Sequence, residues 1–155
     1  MVLTLHYLQN KFNEFNALYF NNSLPTIPLE ITNTKRRLGA LHYRGPKPIK
    51  ITISRYDNLR AEKCICKTLL HEMIHLAEHI LYGHSHHQKF FKDYAKRIKQ
   101  QSNGEYDIKR LTQLILENNQ TPITSTKPLK KRTSVFIEYI DNNKCGLFVA
   151  KNRYD

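Results

Sequence analysis

The chain has 155 residues, enough to bury one core but hardly two, so a single domain with at most a small appendage is expected. It is 40% hydrophobic, and no apolar run approaches the roughly 20 residues needed to cross a bilayer, which argues against a membrane protein. A formal net charge of +12 and a pI near 9.7 suit a polyanionic partner, nucleic acid first, because each neutralised phosphate releases condensed counterions.

The N-terminal stretch MVLTLHYLQNKFNEF is too polar and too periodic for a secretory signal. With three cysteines, an odd number, and with Cys64 and Cys66 close together on a predicted helix, reduced thiols in a cytoplasmic setting are expected, nucleoid-associated if the charge engages DNA. Leu5, Leu8, Phe12, Phe15, Leu18 and Tyr19 recur at three- and four-residue steps and predict an amphipathic helix that stops at NNSLP.

Three short β-rich runs follow, PLEIT, LGALHYR and IKITIS, and predict a small antiparallel sheet of about three strands. The segment KRRLGALHYRGPKPIK brings Lys35, Arg36, Arg37, Arg44, Lys47 and Lys50 together with His42 and Tyr43. Rings on which bases stack and cations that hold phosphates make this a candidate nucleic-acid surface. A charged, solvated sheet edge reads equally well.

Residues from about Asn58 to Tyr82 form the longest predicted helix, with Gly83 as its left-handed terminator. A second helix is predicted at SHHQKFFKDYAKRI, with Ser85 and Gln88 as a capping box, and a third at DIKRLTQLILENN. Beyond Asn119 the chain turns polar, Pro-containing and basic, a linker over 120–133 with Lys127, Lys130, Lys131 and Arg132 as further phosphate-binding candidates. Alternation over 134–155 with a turn at DNNKCG predicts a C-terminal β-hairpin. The expected fold is therefore α+β: a domain over 1–119, the linker, and the hairpin.

The chemistry lies in TLLHEMIHLAEH. His71 and His75 are one turn apart on one side of a helix, so both imidazoles can reach one ion at about 2.0–2.1 Å. Glu72 stands 100° around from His71, placed to contact a water rather than to act as a ligand. Zinc lowers the pKa of such a water to about 7, and the carboxylate can take its proton as it attacks a peptide carbonyl. The competing reading is an exposed helix face, but the apolar residues interleaved with the motif demand burial.

A catalytic zinc usually has three protein ligands and an open position. His79 continues the helical series, but three histidines spread along a straight helix cannot converge on one ion, so a solvated or supporting role is expected for it and for Glu78. His84 sits in the turn after Gly83, where either role is open. His87, Phe91, Tyr94, Ala95 and Ile98 share a stripe that is apolar after its first member, whereas His86, Phe90, Asp93 and Arg97 share a mostly polar one. This favours His87 over His86 as the third ligand.

In FNALYFNNSLP, TKRRLGALHY, TLLHEMIH, HQKFFKDYAKRI and NGEYDIK, over about residues 8 to 110, the chain resembles the SprT/Spartan family of zinc metalloproteases. The resemblance implies a zincin-like pair of helices, one Zn(2+) ion bound by His71, His75 and His87, and Glu72 as general base. Eukaryotic members of that family cleave proteins trapped covalently on DNA, with DNA activating proteolysis. Many members carry a Cys-rich zinc ribbon; here the tail holds only Cys145, so no second zinc is expected and DNA binding would rest on the basic surface.

The expected function is a monomeric zinc metalloprotease acting on DNA-associated proteins. The alternatives are a non-enzymatic DNA-binding module, its zinc closed off by a fourth ligand such as His84 or His86, and a small zinc peptidase unrelated to DNA. Several tyrosines and His42 could stabilise an oxyanion, and spacing selects none of them.

Overall fold

A computed structural model describes residues 1–108, 136–138 and 147–149. The first helix, α1, spans Leu5–Tyr19, close to the predicted limits. Thr4 caps it, its hydroxyl accepting the Tyr7 N–H at 3.1 Å. Leu8, Phe12, Phe15 and Tyr19 are buried, the stripe the three- and four-residue spacing requires. The buried Asn16 side chain then pins the exit of the helix, accepting the Leu24 N–H at 3.2 Å and donating to the Leu24 carbonyl at 3.0 Å.

Three strands follow, β1 at Leu29–Thr32, β2 at Gly39–Arg44 and β3 at Lys47–Ser54, in the order β1-β3-β2. The tight turn at Gly45, whose φ of 58° suits glycine, makes β2 and β3 an antiparallel hairpin. β1 pairs with the other edge of β3 in parallel, Leu29 opposite Ile51 and Thr32 opposite Ser54. The sheet is thus mixed, not antiparallel as expected. β1 cannot pair with β2, its successor in the chain, because β3 lies between them.

The long helix, α2, spans Glu62–Tyr82 and starts later than expected. Tyr56, Asp57 and Asn58 all have positive φ and form a short 3-10 turn, and the helix is capped at Ala61. Every residue from Cys64 to His79 is buried. Gly83 ends the helix with φ 77°, as predicted. Arg60, fully buried ahead of α2, donates to the carbonyls of Leu38, Ser54 and Cys64 and to the Thr68 hydroxyl, tying the ends of β2 and β3 to the helix.

α3 spans Lys89–Gln101 and buries Phe91, Ala95 and Ile98. It begins at Gln88 without a side-chain cap, so the expected Ser85/Gln88 capping box does not form and residues 84–88 are a non-helical connection. The His86 N–H is drawn instead to the Glu78 carboxylate, 2.9 Å away.

Of the predicted third helix, Asp107 and Ile108 are not helical, and the remainder lies outside the described residues together with the linker. β4 at Phe136–Glu138 pairs antiparallel with β5 at Leu147–Val149, as the alternation there predicts; the turn between them lies outside the described residues. Cys66 is a free, buried thiol, as expected of it. Among the described residues no helix is long and apolar enough to cross a membrane.

Candidate metal centre

His71 and His75 project from one side of α2, and His87 meets them from the 84–88 connection, not from the first turn of α3 as expected. Their Nε2 atoms form a near-equilateral triangle: 3.2 Å between His71 and His75, 3.0 Å from each to His87. Three nitrogens around one tetrahedral ion at 2.0–2.1 Å would stand about 3.3–3.4 Å apart. The observed spacing is within a few tenths of an ångström of that.

Proton bookkeeping points the same way. An imidazole nitrogen carries either a proton or a lone pair, so among three mutually facing nitrogens at least one pair must be alike and repel. A shared cation puts all three lone pairs to use. His75 is prepared for this: burial, with the charges of His87, His79 and His86 acting in the same direction, pushes its pKa down to about 4 and keeps the ring neutral.

Phe91, 2% exposed, packs on all three rings with centroid distances of 4.7, 5.1 and 5.0 Å and limits how each can turn. This explains why the apolar stripe picked out His87 although that residue is not helical. His84 and His86 stack on each other at 4.8 Å in exposed positions and stay out of the cluster. Among the described residues the group suited to hold a metal is therefore three histidines and not four.

Glu72, beside His71 in sequence, is 4% exposed. Burial pushes its carboxyl up to about 8, against the opposing effects of the Arg37 charge and of a backbone N–H donated by Leu41 in β2. A carboxyl balanced near neutrality is suited to accept and return a proton. His79, expected to be solvated or supporting, is 1% exposed and lies against the Tyr43 ring at 4.4 Å, because β2 follows α2 along its length.

The basic residues divide into groups. Lys35 pairs with Asp57 at 2.6 Å and lies over the Tyr56 ring, and Lys50 pairs with Glu30 at 2.9 Å. Arg36, Arg37, Arg44 and Lys47 are exposed and form no ion pair with another described residue. Arg44 and Lys47 flank a cavity of about 620 Å³ walled by Ile27, Ile49, Ile80 and three prolines. Lys127, Lys130, Lys131 and Arg132 lie outside the described residues.

Sequence reasoning missed two contacts, the Leu41 N–H on Glu72 and the Glu78 carboxylate on the His86 N–H. The second had a signal, because positions 71, 75 and 78 share one helical stripe.

A search of curated proteins found no match. The family model described as the SprT-like family matches residues 8–121, a span that takes in α2, the 84–88 connection and α3, and the chain belongs to that family.

Proposed function

We propose that the protein is a zinc-dependent protease that holds one zinc ion through His71, His75 and His87, uses Glu72 as general base, and cleaves proteins bound to DNA. The observation that supports the chemistry is the triangle of Nε2 atoms beside a buried carboxylate, with no fourth histidine joining it among the described residues. When bound, zinc would supply Lewis acidity toward water and a peptide carbonyl.

Glu72 takes the proton of the attacking water and returns it to the leaving amine. The Leu41 N–H, by holding the carboxylate, keeps it turned to one place for both transfers. The DNA-associated substrate rests on the net charge of +12 and on the exposed arginines beside β2, with binding by charge and not by base readout. In this reading the chain works as a monomer in the cytoplasm.

The deciding experiment incubates the zinc-loaded full chain with a DNA-bound protein and with the same protein free of DNA. Wild type should cleave, faster with DNA, and Glu72→Gln should bind zinc yet lose roughly 10²–10⁴-fold in rate. Undiminished cleavage by Glu72→Gln would sink the mechanism; equal cleavage with and without DNA would leave a peptidase unconnected with DNA.

A further inference from the structure

His87 differs from the other two members of the triangle in what supports it. His71 and His75 sit in the middle of a 21-residue helix that is buried from Cys64 to His79. His87 sits in the five-residue connection between Gly83 and the start of α3, outside both helical ladders. Yet its Nε2 stands 3.0 Å from each of the others. A loop side chain placed that closely needs a tether.

Glu78 provides one. It lies three residues beyond His75 on the same stripe of α2 and is 6% exposed. Its Oε1 accepts the backbone N–H of His86, the residue immediately before His87, at 2.9 Å. A buried carboxylate is costly to bring out of water unless it is hydrogen-bonded, and the His86 N–H supplies that bond. That bond fixes the peptide leading into His87 against the helix that carries the other two rings.

We infer that Glu78 is a positioning residue, which sets the third ligand by anchoring the 84–88 connection to α2 without itself touching the ion. The inference rests on the metal-centre reading above and extends it to a residue outside the ligand set. It requires an acceptor oxygen at position 78 and not the negative charge. Gln should therefore serve, whereas Ala should not, and Asp, shorter by one methylene, should fall short.

The test titrates the full chain with zinc against a chelator of known affinity and records the visible absorption of the cobalt(II)-loaded protein as a reporter of coordination number. Glu78→Ala should weaken zinc binding by roughly 10–100-fold and reduce the intense absorption of four-coordinate cobalt, while Glu78→Gln stays within a few-fold of wild type on both readings. Where the alanine variant does not fold, Glu78→Asp gives the same reading and the same expected loss. In a His87→Ala background Glu78→Ala should cause no further loss, since the effect passes through His87.

Wild-type affinity and spectrum in Glu78→Ala or Glu78→Asp would overturn the inference, as would an equal loss in Glu78→Gln or a full additional loss in the His87→Ala background. If the wild-type chain itself binds neither ion, the metal-centre reading falls first and this inference with it.

Discussion

Glu72 and His75 are neighbours whose burial acts in opposite senses on their protons. In the metal-free protein Glu72 has a folded-state pKa of about 8 against an ordinary 4.5. Between those values the folded protein keeps a proton that the unfolded chain has released, so this group's contribution to stability falls as pH rises through the window. His75 is depressed from 6.5 to about 4, so between those values the unfolded chain binds a proton the folded protein refuses, and stability rises with pH. The slopes oppose one another from 4.5 to 6.5, and from 6.5 to 8 Glu72 acts without His75. Glu72→Gln cannot titrate. The metal-free variant should therefore gain stability relative to wild type as pH is raised from 6.5 to 8, as measured by urea denaturation. A stability difference that stays constant over that range would contradict the placement of a protonated carboxyl in the core. At this scale much of the site was legible, because an i, i+4 pair of histidines within an apolar helix has one geometric reading, and the stripe through Phe91 selected His87. Glu78 was legible as far as its stripe, which it shares with His71 and His75, but its partner was not, because every residue except proline carries a backbone N–H.

Among the elements, the packing of β2 on α2 decides where Glu72 points. At Gly39 the two pack without room for a side chain: a Cβ there would stand 2.7 Å from Thr68 Cγ2 and 3.1 Å from the Thr52 carbonyl oxygen. Two residues along the same strand, Leu41 donates its N–H to Glu72. Gly39→Ala should therefore push the strand off the helix, costing about 1–3 kcal/mol of stability by overpacking and slowing cleavage through the loosened carboxylate. Zinc affinity should hold, because no ligand lies on β2. The tightest clash is with a methyl group, so Thr68→Ser in the same chain should restore part of both losses while keeping the hydroxyl that Arg60 uses. Denaturation curves of the two single variants and the double variant measure this, and a double variant no better than Gly39→Ala would show the contact is not the cause. The strand runs themselves were legible from their β-rich composition and the Pro, Gly and basic residues between them. The parallel pairing of β1 was not, because local composition says that a segment is extended but carries nothing about which edge it joins or in which direction.

For the molecule as a whole, net charge predicts attraction to DNA, but only cations free to meet phosphates set its strength. Of the basic residues near β2, Lys35 is engaged by Asp57, which also lowers what it could gain from a phosphate. Arg36 and Arg37 are exposed and form no ion pair with another described residue. On a plot of log affinity against log salt, replacing both arginines with alanine should therefore reduce the slope by about 2, close to one unit per phosphate contact, whereas Lys35→Ala should leave it nearly unchanged. Alanine at Lys130, Lys131 and Arg132 together should reduce it by about 3 if the linker tracks the backbone as its composition suggests. Fluorescence anisotropy with duplexes of unrelated sequence measures these slopes, and the affinities should differ little between sequences because nothing in this reading touches base edges. Binding that ignores salt would remove the electrostatic basis for a DNA-bound substrate. A slope that drops as far for Lys35→Ala as for either arginine would show that the Asp57 pair opens on the DNA, and that charge count, not the pairing seen here, governs the surface.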